Sequence, residues 1–323
     1  MVTTPLPKTL QQAIVYFNDP DNCLREIVRL RWPDGIVKCP TCGSDNVSFL
    51  STRRLWKCSK DHPKRQFSAK VGSIMEDSAV TLDKWLVALW LIPNAKNGIS
   101  SYELARSIGV GQKAAWFMLH RIRLAMQDIT GGKLDGHIEV DETFIGGKAR
   151  NMHAAKRRRL GISQSRSMIG KVAVMGLLER HTKDEGGAQV RFKVIANRKK
   201  HQLESVITEN VTLGANIYTD ALKSYDRMNE RGYVHAVIDH AEAYVDGAVH
   251  TNGLENFWSL LKRALKGTYV SIEPFHLFRY LDEQAFRFNH RKLSDAARFA
   301  LTAGSIFGKR LTFNELTAAD SSL

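Results

Sequence analysis

The sequence predicts an α/β protein: a mixed sheet flanked by helices, preceded by a small cysteine-bearing ribbon and a helical segment. Three observations predict it. In the second half, short runs of period-two alternation are interleaved with runs of helical periodicity, the order expected of an α/β layer. Near the N-terminus, Cys39, Cys42, Cys58 and His62 stand as C-x2-C, fifteen intervening residues, then C-x3-H. Between the two, Leu82 to Asp128 reads as helices interrupted at Pro93 and at Gly109-Val110-Gly111.

The chain of 323 residues is long enough for two or three domains with a sizeable core. It divides into an N-terminal helical segment (1–35), the ribbon (36–70), a helical segment (71–130) and the α/β part (131–323), with a composition shift at Gly131-Gly132. Lys and Arg number 47 against 33 Asp and Glu, a formal charge of +14. That excess points to a polyanion as partner, because cations that neutralise phosphates release condensed counterions. A basic surface without a partner is the alternative. Met1 to Pro20 is polar and interrupted by Pro5 and Pro7, unlike a signal peptide, and the longest apolar run, Trp85 to Ile92, is too short to span a bilayer. The expectation is a soluble cytoplasmic protein with no membrane partner.

Thr9 to Trp32 reads as helical with a break at Asp19-Pro20, and Cys23 as a small core residue. Three thiolates and an imidazole in two short-range pairs suit tetrahedral Zn2+ with every position filled, a structural site. Asp61 is an alternative to His62 as fourth ligand. Arg53, Arg54, Lys57, Lys60, Lys64 and Arg65 surround the ribbon, with Trp56 and Phe67 interleaved. This composition fits contact with a nucleic-acid backbone, and equally fits solvated charge around a small core. Ser100 or Ser101 can cap a short helix, Gly109-Val110-Gly111 turns the chain, and Gln112 begins a longer helix, the helix-turn-helix layout. Ala115, Met118, Leu119, Ile122 and Met126 form its core stripe, leaving Gln112, Lys113, His120, Arg121 and Arg123 for DNA.

In the α/β part, His137 to Gly147 alternates Ile138 and Val140 with Glu139, Asp141 and Thr143. A carboxylate in mid-strand is unfavourable unless something compensates its burial, for instance a metal. Glu139, on the same strand face, and Glu142 beside it are either supports behind Asp141 or surface charges, and surface charge is the preferred reading. The basic run Lys156 to Arg159 sits in what reads as a loop. Lys171 to Arg180 and Ala188 to Ala196 read as a hairpin turning at Asp184 to Gly187; a helix near Gln202 to Asn210, a strand ending at Asp220 and a strand at Tyr233 to His240 follow. Asn252 and Glu255 have capping-box spacing, and Leu254, Trp258, Leu261 and Leu265 make one apolar helical face. Glu255 lies 35 positions after Asp220, and Lys262 seven after Glu255. The C-terminal stretch reads as helices with Arg279, Arg287, His290, Arg291 and Lys292 among packing residues Phe278, Leu281, Phe286 and Phe288.

The order of zinc ribbon, helical segment, VDETFIGGK, YTDALKSY, HTNGLENFWSLLKR and HLFRYLDEQAFRFNHRK resembles bacterial insertion-sequence transposases of the DDE, RNase H-like class that carry an N-terminal zinc ribbon. The likeness spans roughly Cys39 to Lys292 and is most specific in HTN-x-x-E-x-x-W-x-x-L-K. It implies an RNase H-like sheet, with Asp141, Asp220 and Glu255 as ligands of catalytic Mg2+ or Mn2+ and Lys262 as an accessory contact to DNA. Some relatives follow an Asp-Asp-Asn pattern, so Asn252 is the rival third ligand; Glu255 is preferred because Mg2+ favours a carboxylate. The implied partners are double-stranded DNA, as element ends and target, and further copies of the chain in a dimer or larger synaptic complex, associated with the nucleoid when DNA-bound. The implied reaction is two-metal phosphoryl transfer, cleavage followed by strand transfer. The alternatives are a DNA-binding regulator with a non-catalytic α/β domain and a metal-dependent nuclease that does not join.

Overall fold

The computed structural model describes residues 6–127, 132–147, 153–159, 161, 170–180, 187–220, 222–225, 227–238 and 250–318. They fall into two compact units, the first running to Gln127 and including Leu293–Ala318, the second ending at Lys292.

The first unit opens with α1 (Leu10–Phe17) and α2 (Pro20–Arg31). The break between them is a helix start: Asp19 accepts the Asp21 N–H, and Pro20 occupies the first turn, where its missing donor costs nothing. Cys23 is buried and donates to the Phe17 carbonyl at 3.0 Å, and burial pushes its thiol up to about 12. The ribbon follows as an antiparallel sheet of β1 (Val47–Leu50), β2 (Leu55–Cys58) and β3 (Gln66–Phe67). Trp56 is its core, with ring centroids 5.9 Å from Trp32, 5.1 Å from Phe49 and 6.0 Å from Phe67. Trp56 and Phe67 are therefore packing residues, withheld from any ligand.

Next come α3 (Leu82–Asn94), α4 (Ser101–Ile108) and α5 (Gln112–Met126). Ser100 caps α4 by accepting the Glu103 N–H, and Gly109 ends it in the left-handed region at φ 62°. The assignment of His120, Arg121 and Arg123 to a DNA-facing surface is corrected here, because all three are buried. Arg121 donates to the carbonyls of Leu311 (3.0 Å) and Glu76 (2.9 Å), so its charge fastens the core of the unit. Lys113 remains exposed at the start of α5, and Gln112, partly exposed, donates to Ser101 Oγ at 2.9 Å.

The second unit contains β4 (His137–Ile145), α6 (Ala154–Arg159), β5 (Val172–Glu179), β6 (Gln189–Ile195), α7 (Lys200–Asn210), β7 (Asn216–Asp220), β8 (Val234–Ile238), α8 (Asn252–Ala264) and α9 (Leu277–Asn289). The strands form one mixed sheet in the order β6-β5-β4-β7-β8, antiparallel between β6, β5 and β4 and parallel between β4, β7 and β8, the RNase H-like arrangement. The period-two pattern assigns the faces. Ile138 and Val140 join Leu203, Val206 and Ile207 of α7 in one core. On the opposite side Val174, Leu178 and Val190 pack with Leu254, Phe257, Trp258 and Leu261 of α8 and with Leu277 and Leu281 of α9. In α9, Phe286 and Arg287 are buried, Arg287 pairing with Glu283, whereas Phe278 is exposed beneath Arg279.

Three further expectations change. The basic run Lys156 to Arg159 lies in α6, where a loop was expected; the hairpin turn at 184–186 and Gly131 lie outside the described residues. The capping box at Asn252 does not form, since the N-cap of α8 is Thr251 and Asn252 is already in the helix. Finally, α10 (Asp295–Gly304) and α11 (Phe313–Thr317) belong to the first unit, whereas the sequence reading put 131–323 together. Phe299 is the reason: its ring lies 5.7 Å from Phe17 and 5.1 Å from Trp90. Among the described residues, no helix is long and apolar enough to cross a membrane.

Gly176 lies opposite Asp141 in the β4–β5 ladder, where a Cβ would stand 2.7 Å from Trp258 Cζ2 and 2.9 Å from Leu254 Cδ2. A side chain there would lift α8 from the sheet, and overpacking of this kind costs about 1–3 kcal/mol. Gly176→Val is expected to lower the thermal unfolding midpoint by several degrees in a melt followed by circular dichroism; an unchanged midpoint would contradict this packing.

Candidate active site and structural zinc centre

In the first unit, one ligand atom from each of Cys39, Cys42, Cys58 and His62 lies within 4.8 Å of all the others. Cys39 Sγ is 3.4 Å from His62 Nε2, and Cys42 Sγ is 3.6 Å from Cys58 Sγ. A tetrahedral zinc with bonds of about 2.3 Å has ligand–ligand edges of about 3.8 Å, so the cluster is close to metal-binding size. The β1–β2 hairpin carries Cys58, and the loop before β1 carries Cys39 and Cys42. His62 Nδ1 lies 2.7 Å from the Pro63 carbonyl, to which it can only donate, leaving Nε2 as the ligand. Burial disfavours the Cys39 thiolate, yet the Cys42 and Thr41 N–H groups and the neighbouring thiols outweigh it and bring Cys39 down to about 7. Asp61, the alternative ligand, is almost fully exposed and faces Arg65 at 3.5 Å. The donor set is that of structural zinc.

In the second unit the three acids are carried by three elements, β4, β7 and α8. β4 and β7 are parallel, with His137 opposite Asn216, Ile138 opposite Ile217 and Glu139 opposite Tyr218. Continued two residues beyond the paired stretch, that register sets Asp141 beside Asp220, where β7 ends. Glu255 lies in the first turn of α8, and Trp258, one turn later, donates from Nε1 to Asp141 Oδ2 at 2.8 Å. Asp141 Oδ1 accepts the Glu142 N–H at 2.7 Å, and Asp220 Oδ1 the Leu222 N–H at 3.3 Å. Burial raises the Asp141 carboxyl above the usual carboxylate range; Asp220 and Glu255 add to the rise and the two hydrogen bonds oppose it. Asp220 and Glu255 are near enough to act on Asp141 electrostatically, but among the described residues only Cys39, Cys42, Cys58 and His62 bring their ligand atoms together at metal-binding distance. Carboxylates whose negative charge is held at an energetic cost are the donor type a hard divalent cation takes, and such an ion would have to draw these three closer. Lys262 is exposed on α8 two turns beyond Glu255, and Asn252 is exposed at the start of the helix.

Two residues for which the sequence favoured surface charge over support of the site belong to this neighbourhood. Glu142 is partly buried and accepts a hydrogen bond from Tyr225 Oη; burial, with Asp220 and Asp141 adding, pushes it up to about 8 against the pull of Arg198. Glu139, read as surface charge, is 1% exposed and receives Arg180 Nε at 2.7 Å. Trp258 read only as part of an apolar stripe; nothing in the spacing disclosed its indole N–H.

A mixed five-stranded sheet flanked by helices, in a chain with a zinc ribbon, is consistent with the RNase H-like class of transposases. Residues 133–289 match the family described as ISXO2-like transposase domain, and residues 18–60 match the transposase zinc-ribbon domain. An uncharacterized protein in transposable element ISH50 of Halobacterium salinarum is 27% identical over 256 residues, covering 74% of this chain and 81% of the relative. An uncharacterized transposase-like protein of Haemophilus influenzae is 31% identical over 100 residues, 31% of this chain and 80% of its own length. The chain belongs to this family of insertion-sequence transposases.

The elevated Glu142 carboxyl has a stability consequence. Its folded-state value of about 8 exceeds that of an unfolded Glu, near ~4.3, so its contribution is full below the lower value and is lost as pH rises through the upper. In EDTA-free buffer without divalent ions, the unfolding midpoint of Glu142→Gln relative to wild type is expected to rise by about 2–4 °C or more between pH 5.5 and 8.5. Parallel pH profiles for the two proteins would contradict the assignment.

Proposed function

We propose that this transposase binds the ends of its element and performs divalent-metal-dependent DNA cleavage and strand transfer at Asp141, Asp220 and Glu255. The observation that supports the proposal is electrostatic: Asp141 is raised by its burial first, and Asp220, at the end of the strand parallel to β4, and Glu255, on α8, both add to the rise. Mg2+ or Mn2+ bound there would supply Lewis acidity to an in-line phosphoryl transfer. The chain's own part is orientation. Trp258 Nε1–H and the Glu142 N–H fix the two oxygens of Asp141, and the end of β7 presents Asp220 through its contact to the Leu222 N–H. Lys262, exposed on the same helix as Glu255, is placed to contact a phosphate along the bound strand. Lys113 and Gln112 at the start of α5 occupy the part of a recognition helix that meets base edges, and the charge of +14 favours binding to DNA generally. Joining two ends in one reaction favours at least two copies of the chain.

Glu255 is the third ligand in this reading, because its charge contributes to the field at Asp141. The test uses the full chain, Mg2+ and a labelled duplex carrying the DNA that flanks its own gene. Nicking and joining are expected to fall on the order of 10³-fold in Asp141→Ala, Asp220→Ala and Glu255→Gln, as several kcal/mol of charge stabilisation is removed, and to stay within a few-fold of wild type in Asn252→Ala. An inactive Asn252→Ala beside an active Glu255→Gln would move the third ligand to Asn252. Cutting without joining by wild type would make the enzyme a nuclease, and binding without cutting would make it a regulator.

A further inference from the structure

Glu139 is the most deeply buried carboxylate near the acidic site, and it is absent from the proposed metal-binding set. It shares a strand face with Asp141, two residues away on β4. Its Oε1 accepts Arg180 Nε at 2.7 Å, and its Oε2 accepts the backbone N–H of Leu254, in the first turn of α8, at 3.0 Å. A carboxylate at a helix N-terminus satisfies one of the donors that the helix leaves open and meets the positive end of its dipole. Arg180 secures the same point from the other side: its Nη2 donates to the His250 carbonyl at 2.6 Å and lies 2.8 Å from His250 Nδ1. His250 Nδ1 also lies 3.4 Å from Glu139 Oε1. The guanidinium also lies 4.6 Å over the Tyr218 ring, on the strand that ends at Asp220.

Gly253 explains itself in this setting. A Cβ at that position would stand 2.8 Å from Glu139 Oε2 and 3.0 Å from Leu178 Cδ1. The absence of a side chain lets the carboxylate reach the helix backbone.

The helix is thus held at two points by two carboxylates of one strand: Leu254 by Glu139 and Trp258 by Asp141. Four residues of α-helix advance about 6 Å and two residues of strand about 6.7 Å, so the two spacings match with the elements running alongside each other. Glu255 lies between the two attachment points.

We infer that Glu139, supported by Arg180 and His250 and admitted by Gly253, is a positioning residue that fixes the start of α8 and so sets Glu255 against Asp141 and Asp220. The inference rests on the reading of those three carboxylates as the metal site. Residues that orient a ligand from behind cost about 10–100-fold in metal affinity or activity when changed.

The test measures Mn2+ binding to the full-length protein by titration calorimetry, beside nicking rates at saturating DNA and the KM for DNA, in wild type, Glu139→Gln, Gly253→Ala and Asp141→Asn. Zinc content and thermal unfolding report whether each variant is folded. Gly253→Ala keeps every charge, so it carries the test if Glu139→Gln leaves Arg180 uncompensated and does not fold. The expected result is a loss of Mn2+ affinity and of kcat of about 10–100-fold in both positioning variants, with KM for DNA near the wild-type value and partial recovery of rate at high Mn2+. Folded Glu139→Gln or Gly253→Ala protein with wild-type Mn2+ affinity and kcat would overturn the inference. Equal Mn2+ binding by wild type and Asp141→Asn would instead overturn the metal site itself, and this inference with it.

Discussion

Asp141 and Glu139 stand on one face of β4, and each accepts a hydrogen bond from α8. The rest of the second unit is arranged around that pair of contacts. A half-buried carboxylate is costly in a sheet, so the apolar residues of the same helix, Leu254, Phe257, Trp258 and Leu261, must pack tightly enough to hold it there. Gly176 gives the indole its room, and Gly253 gives the Glu139 carboxylate its room. The two glycines mark where helix and sheet approach most closely, and both approaches serve the acids. The polar contacts themselves contribute modest net stability; their value lies in allowing one arrangement of helix on strand.

The cost of this arrangement shows in the electrostatics. Asp141 and Glu142 are both raised, by burial first and by neighbouring carboxylates second, which is the reverse of what folding stability alone favours. Perturbed acids side by side in the middle of a strand mark a candidate site of chemistry. In the first unit the problem differs. The ribbon has two- and four-residue strands and a core centred on Trp56, too little apolar surface to hold itself together without a metal crosslink.

Much of this was legible in the sequence. Period-two alternation located β4 and its faces, because a strand covered on both sides by different helices must sort its residues by face. The Cys and His spacing identified the ribbon cluster because two short-range pairs leave little freedom in how four ligands meet. What escaped were contacts set by tertiary packing. Arg121 and Arg123 look like DNA-facing cations at their positions on α5, but the helix is enclosed and its core extends to both. Asn252 has a capping residue's spacing, yet the helix begins one position earlier and Glu139, 115 positions away in sequence, satisfies its open donor. Phe299 draws the last helices to the first unit through ring contacts with Phe17 and Trp90 that no local pattern announces.

The central claim is that a divalent ion sits among Asp141, Asp220 and Glu255, and it can be tested without DNA. Fe2+ bound in place of Mg2+, with ascorbate and peroxide, generates radicals that cut the polypeptide next to the ion, and mass spectrometry maps the breaks. The account predicts cuts confined to the neighbourhoods of residues 141, 220 and 255, suppressed by excess Mg2+ and lost in Asp141→Asn. Cuts elsewhere in the chain, or cuts that persist in Asp141→Asn, would contradict it.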